Sequence, residues 1–130
     1  MQGDKEGSMR RAVQAAASGT GARITERHYK QATLTGGLVE RRDIIAETTS
    51  YRLTVSMSKD SVKLTLLVKE GTRENLARIA ASLEDRGLIV TDVDEDRLVA
   101  GISTRSAERV ERMLRGMNDV LRRVTRSRRR

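Results

Sequence analysis

The chain has 130 residues, 34% of them charged, and a formal net charge of +8 at pH 7. It has no cysteine, which excludes disulfides, thiolate chemistry and cysteine-based zinc sites. Tyr29 and Tyr51 are the only aromatic residues. The core must therefore be aliphatic, and a protein that binds single strands by stacking bases on aromatic rings is disfavoured.

The first 50 residues carry weak structural signals. Residues 1–37 are expected to form a flexible basic and polar extension, because glycine, serine, threonine and charged residues dominate "MQGDKEGS", "SGTGAR" and "TLTGG". Within it, "MRRAVQAAAS" predicts a short helix, since alanine is the best helix former. Residues 38–50, "LVERRDIIAETTS", show no clean period and stay unassigned.

Residues 51–126 give the clearest signals and are predicted to form the folded domain. In "YRLTVSM" and "VKLTLLVK" apolar and polar residues alternate, as in strands with one buried face. The short polar segment "SKDS" separates the two runs. The pattern predicts an antiparallel hairpin.

The next segment, "EGTRENLARIAASLEDRG", predicts a helix with recognisable ends. Thr72 is a candidate N-cap, Glu74 suits the positive first turn, and Gly87 suits a left-handed exit. One apolar stripe follows helical spacing through Leu76, Ile79, Ala80 and Leu83.

Two short strands are predicted next, "LIVTDV" and "RLVAGI", joined by "DED". Gly101 lies inside the second strand, which indicates a bulge or the close approach of a helix.

The closing segment predicts a single amphipathic helix of about five turns. Ser103, Thr104 and Ser106 are cap candidates. At helical spacing, one arc holds the apolar residues Ala107, Val110, Leu114, Met117, Leu121 and Val124. A separate arc holds Arg105, Arg109, Arg112, Arg115, Arg122, Arg123 and Arg126, and residues 127–130 form an arginine-rich tail.

An alternative interpretation ends this helix near Gly116 and makes "VLRRVTR" a further strand, which would give a ferredoxin-like variant. In either case the expected fold class is α+β. It comprises an antiparallel sheet of three to four strands with two helices packed on one face, in the order ββαββα.

The positive charge is concentrated at the end of the chain. Residues 112–130 contain eight arginines and a single acid, Asp119. This concentration favours an anionic partner, with nucleic acid the leading candidate. The alternative is a solvated or solubilising surface whose arginines pair with nearby acids.

Residue types that support catalysis are sparse. His28 is the only histidine, so no multi-histidine metal site or Ser/His pair is supported. The acidic stretch "DVDED" lacks the length of an EF-hand loop, and "GTGAR" lacks the Lys-Ser/Thr pair of a phosphate loop. We therefore expect no enzyme activity, no cofactor and no metal site.

The sequence also lacks an apolar run of about 18 residues, as a membrane span would need, and its start lacks the apolar core of a signal peptide. We expect a cytoplasmic protein that does not cross a membrane.

The order of "VKLTLLV", "RENLARIAASLED", "LIVTDV", "RLVAGI" and the final helix resembles the small dimerising subunit (Pcc-one family) of the KEOPS complex. The most suggestive residues are "LRGMNDVLRRV", since that family's last helix has a similar Leu-Arg, Asn and Leu spacing. The resemblance covers about residues 62–126. The chain departs from the family in having no proline, a long extension and an extra strand at Tyr51–Met57.

The resemblance implies a non-catalytic homodimeric subunit of a complex that makes threonylcarbamoyladenosine in tRNA. Such a subunit would dock a helix onto the catalytic subunit and help to hold tRNA. Carried onto this chain, the partner-facing positions are Arg115, Asn118 and Arg122. With further arginines of the charged arc, the residues expected to contact a partner or nucleic acid are Arg112, Arg115, Asn118, Arg122, Arg123 and Arg126.

Two other functions remain open. One is an ACT-like or protease-propeptide-like regulatory or inhibitory module of ferredoxin-like fold, with Gly71 in the loop after the strand. The other is a basic accessory RNA-binding protein. A strand at Val120–Val124 favours the regulatory module, and a helix there favours the KEOPS-like subunit.

Overall fold

A computed structural model describes residues 2–69, 73–94 and 96–128, with side chains for residues 7–69, 75–94 and 96–126. Its strands form one antiparallel sheet in the order β1-β2-β3-β4-β6-β5. The elements, in chain order, are α1 (Gln2–Ala17), β1 (Arg23–Ala32), β2 (Leu38–Glu47), β3 (Tyr51–Met57), β4 (Val62–Lys69), α2 (Arg73–Asp85), β5 (Ile89–Val93), β6 (Arg97–Thr104), α3 (Ala107–Arg115) and α4 (Asn118–Arg128).

The expected α+β sheet of three to four strands with two helices is wrong in its size. The described residues form six strands and four helices. Residues 1–37, expected as a flexible extension, contain α1 and β1, and the unassigned residues 38–50 contain β2.

The short helix predicted at residues 9–18 is part of α1, which begins at Gln2. The sequence indicates this helix only weakly, because its buried residues are mostly small. Met9, Ala12, Val13, Ala16 and Ala17 recur at helical spacing, and all five are buried in the core. Alanine removes little apolar surface from water, so the stripe is a weak signal beside the charged residues that precede it.

Strands β1 and β2 were missed because charged residues interrupt their alternation. Arg42 and Asp43 of β2 are buried, with 8% and 2% of their surfaces exposed. Each has an ion-pair partner on β1: Arg42 Nη2 lies 3.0 Å from Glu26 Oε1, and Arg27 Nη2 lies 2.8 Å from Asp43 Oδ2. Buried charges of this kind need a partner from elsewhere in the fold, which the strand's own sequence does not reveal.

The predicted hairpin is confirmed. Strands β3 and β4 pair in antiparallel register with Leu53 opposite Leu66, and Ser58 N donates to Ser61 O at 2.9 Å in the turn. Their alternate residues point into the core beneath the helices. The two later strands are confirmed as β5 and β6, with β6 between β4 and β5.

The glycine inside β6 allows two strands to approach closely. A Cβ atom on Gly101 would lie 2.3 Å from the backbone oxygen of Leu64. The sequence indicated a bulge or the close approach of a helix at this position. The close neighbour is instead the backbone of β4.

Helix α2 is confirmed, with Leu76, Ile79 and Leu83 buried. Gly87 follows it in the left-handed region at φ 92°, as predicted. The predicted cap residue Thr72 and the side chain of Glu74 lie outside the described residues.

The closing segment is helical but divided into two helices, so the prediction of one continuous helix is wrong. Ser106 caps α3 as predicted, accepting a hydrogen bond from Arg109 N at 3.2 Å. Helix α3 ends at Arg115, and the carbonyl of its C-cap residue Gly116 accepts a hydrogen bond from Arg86 Nε at 2.8 Å. Glycine's low helix propensity and this side-chain donor together favour the break.

The apolar residues that follow the break still face the core. Met117, Val120, Leu121 and Val124 are all buried, the last with 3% of its surface exposed. Residues 118–128 form α4, so the alternative strand at "VLRRVTR" and the ferredoxin-like variant are wrong. Helix α4 extends into the predicted tail at 127–130, of which Arg129 and Arg130 lie outside the described residues.

Candidate nucleic-acid interface

The arginines of the two closing helices lie on the side away from the core. Helix α3 packs on α1 and β4, and α4 packs on α1, α2 and β3. Their apolar residues fill these contacts, which leaves the charged residues in solvent. The exposed arginines of the two helices together form a surface that we call the α3–α4 surface. Its members are Arg109, Arg112, Arg115, Arg122, Arg123 and Arg126.

Few acids oppose this charge. Of the three acids within the two helices, Asp119 pairs with Arg86 of α2 at 2.6 Å, and Glu111 accepts a hydrogen bond from the Ser8 hydroxyl of α1. Glu108 is exposed in the first turn of α3, where a negative charge favours the helix N-terminus. The α3–α4 surface therefore has a net positive charge.

Asn118 and Arg122, two of the predicted contact residues, have acceptors within the chain. Asn118 Nδ2 donates to Ala16 O at 2.9 Å and to Ser18 O at 2.8 Å, and Arg122 Nε donates to Ser18 O at 3.1 Å. These carbonyls lie at the C-terminal end of α1, where a helix leaves acceptors unpaired. Both side chains thus hold α1 against α4.

The other predicted contact residues are placed differently. Within the part of the chain that the structure describes, the side chains of Arg112, Arg115 and Arg126 have no hydrogen-bond or ion-pair partner, and the same is true of the Arg109 side chain. Arg123 is exposed and has a contact within the chain. Arg109, Arg112, Arg115 and Arg126 therefore have guanidinium donors available to an outside partner.

A guanidinium group suits one class of ligand best. Its planar fork of donors can hold two oxygens of a phosphate at once, and it stays charged at any physiological pH. Phosphate oxygens of a nucleic-acid backbone match both properties, and such contacts position a protein without reading base sequence.

The other candidate residues are dispersed. His28 is exposed on the edge strand β1, and Asp92, Asp94 and Asp96 are exposed at the β5–β6 turn, while Glu95 lies outside the described residues. Among the described residues, no group of three or more His, Asp and Glu side chains could hold a metal ion. No described helix has both the length and the apolar character that crossing a bilayer requires.

Sequence reasoning missed the ion pairs that hold the sheet at the β1–β2 side. Hydrogen bonds from Arg10 and then Arg42 lower the pKa of Glu26 from its usual value of 4.5. Hydrogen bonds from Lys69 and then Arg52 likewise lower the pKa of Glu47. Both carboxylates are therefore ionised at neutral pH. The sequence shows that these residues are charged but not which basic side chains pair with them.

A buried hydroxyl pair lies beneath the same corner of the sheet. Burial raises the pKa of Tyr51, partly offset by its hydrogen bond of 2.7 Å with Thr20 Oγ1. The turn that holds Thr20 follows α1, so this bond adds to the attachment of α1 to the sheet.

Comparison of the chain with protein-family models, with curated proteins and with solved structures gave no match.

Proposed function

We propose that this chain is a non-catalytic RNA-binding protein whose α3–α4 surface contacts the phosphate backbone. The observation that carries the proposal is that four exposed arginines on adjoining helices, Arg109, Arg112, Arg115 and Arg126, have side chains without an acid partner among the described residues. If these arginines were neutralised within the chain, the acids of the two helices would pair with them. Here Asp119 pairs with Arg86, and Glu111 accepts from Ser8.

The composition favours a structured RNA over a single strand. Tyr51 is buried and Tyr29 is half-buried, with Arg27 over its ring at 5.1 Å. Neither tyrosine offers a free stacking platform on α3 or α4. Double-stranded RNA is recognised mainly through phosphates and 2′-hydroxyls, which needs no aromatic ring.

A finer proposal follows from the resemblance to the small dimerising KEOPS subunit. The helical conformation of residues 118–128 supports it over an ACT-like or protease-inhibitor module, which needs a strand there. The chain would then act in the cytoplasm as a homodimer on tRNA. Since Asn118 and Arg122 bind α1, docking onto the catalytic subunit would rely on Arg112 and Arg115 instead.

The test of RNA binding compares two charge-matched variants with tRNA as the probe. In the helix variant, Arg112 and Arg115 are replaced by Gln. In the control variant, Lys59 and Arg78 are replaced by Gln; both residues are exposed and lie outside the α3–α4 surface. Fluorescence anisotropy at fixed salt gives the dissociation constant, and circular dichroism verifies that each variant is folded.

We expect the helix variant to bind tRNA about tenfold or more weakly, because two phosphate contacts with their released counterions are lost. The control variant should bind like the wild-type protein. Equal losses in both variants would mean that total charge alone decides binding, and unchanged affinity in the helix variant would refute the assignment of this surface.

The finer proposal is tested by co-expressing the chain with a catalytic threonylcarbamoyl-transferase subunit. Co-purification that Arg115→Glu abolishes would support docking through α3. A folded monomer that binds tRNA but never co-purifies would leave RNA binding intact and reject membership of the complex.

A further inference from the structure

One face of the sheet has no helix over it among the described elements. The register of the strands places Ile45, Thr54, Thr65 and Gly101 side by side across β2, β3, β4 and β6. Their neighbours along each strand, such as Ile44 and Leu64, point the opposite way into the core. We call the helix-free side the open face.

The open face is basic. Of its acids, Asp43 is ion-paired with Arg27, and Glu47 is ion-paired with Arg52 and Lys69. A third acid, Asp92 of β5, lies opposite Val99 and is exposed. Within the described residues, four further cations of this face have no hydrogen-bond or ion-pair partner: Arg23, Arg41, Lys63 and Arg97. The buried Nε of Arg41 is also without an acceptor there.

The positive charge of the open face favours an anionic partner. A second copy of the chain would bring an identical cationic face against this one, and like charges in opposition are unfavourable. A nucleic-acid backbone is complementary to it. The central row holds threonine, isoleucine and glycine, whose side chains are shorter than those of Lys63 and Arg97.

The two basic surfaces lie on opposite sides of the molecule. The open face is one side of the sheet, and the α3–α4 surface belongs to the helices that cover the other side. A sheet and a helix layer separate them by about 10 Å plus the side chains, so a straight duplex cannot contact both.

We propose that the open face is a second, weaker phosphate-binding surface and that one molecule holds two RNA segments at once. This inference rests on the proposed RNA binding and adds a bridging activity to it. The open face is the weaker surface because three acids, Asp43, Glu47 and Asp92, lie within it. Lys63 of β4 and Arg97 of β6, which lie on neighbouring strands and are both exposed, are the contact residues tested below.

The experiment measures energy transfer between two short RNA duplexes, one labelled with a donor and one with an acceptor. In this experiment the replacements are Glu instead of Gln: the open-face variant carries Lys63→Glu and Arg97→Glu, and the helix variant used here carries Arg112→Glu and Arg115→Glu. A control variant with the same charge change carries Lys59→Glu and Arg78→Glu. All six positions are exposed, and circular dichroism verifies that each variant is folded.

Wild-type protein and control variant should bring the duplexes together, with a maximum of transfer that declines when protein is in excess. The open-face variant should bind one duplex with nearly wild-type affinity yet give no transfer, and the helix variant should bind one duplex more weakly and give none.

Two results would overturn the inference, and light scattering distinguishes two causes of the first. Transfer in the open-face variant equal to that in the control would remove the role of Lys63 and Arg97. If that transfer came with a dimer in light scattering, two copies of the α3–α4 surface would be the bridge. No binding of a single duplex by the wild-type protein would reject the proposed function itself, which the anisotropy of one labelled duplex reports separately.

Discussion

Replacing Asn118 by alanine tests whether this residue holds the fold together or contacts a partner. The substitution removes two hydrogen bonds, of 2.9 and 2.8 Å, that join α4 to the carbonyls of Ala16 and Ser18. A typical intramolecular hydrogen bond contributes about 0.5–1.5 kcal/mol, so the loss should be about 1–3 kcal/mol. For a chain of this length each kcal/mol lowers Tm by about 4 °C.

The assay is thermal unfolding followed by circular dichroism, with Arg126→Gln as the control. Arg126 is exposed and has no partner among the described residues, so its replacement should change stability by less than about 0.5 kcal/mol. Asn118→Asp should destabilise at least as much as Asn118→Ala, because a carboxylate faces the two carbonyls without a donor. An unchanged Tm in Asn118→Ala together with lost RNA binding would refute the structural role and support contact with a partner.

Two further predictions concern the sheet. Gly101→Ala should lower the free energy of unfolding by about 1–3 kcal/mol, as measured by urea unfolding. The added Cβ would lie 2.3 Å from the backbone oxygen of Leu64, so the two strands must separate. A variant as stable as the wild-type protein would show that β4 and β6 are not in this close contact. Glu47→Gln should lower stability at neutral pH and reduce the loss of stability in acid. The pKa of Glu47 is lowered from 4.5 in the folded chain, so its contribution is present above that value and disappears as the pH falls through the folded pKa. Parallel pH profiles of Tm for the variant and the wild-type protein would contradict this sign.

The sequence predicts those elements in which apolar, buried residues and polar, exposed residues alternate with a regular period. In β3 and β4 every second residue is apolar, so the period of two is unmistakable and the hairpin follows. Strand β1 lies at the edge of the sheet and has mostly exposed residues, so it shows no such period. In β2 the buried Arg42 and Asp43 replace apolar residues by ion pairs, which only the folded chain assembles.

The candidate site shows the same division. The spacing of apolar and charged residues correctly predicted that Leu121 is buried and Arg122 exposed. It could not predict that Asn118 and Arg122 bind carbonyls about a hundred positions earlier in the chain, because the docking of α1 was not foreseen. An asparagine at the start of a helix and a neighbouring exposed arginine give the same sequence signal whether they bind a partner or another helix.

The salt dependence of RNA binding tests the central claim most directly. Each phosphate contact by an arginine adds about 0.7–0.9 to the slope of log K against log salt concentration. With Arg112 and Arg115 replaced by Gln, the steepness should fall by about 1.4–1.8 relative to the wild-type protein. The Lys59→Gln, Arg78→Gln control should keep the wild-type slope. An unchanged slope in the helix variant, or an equal decrease in the control, would contradict a phosphate-binding surface on α3 and α4.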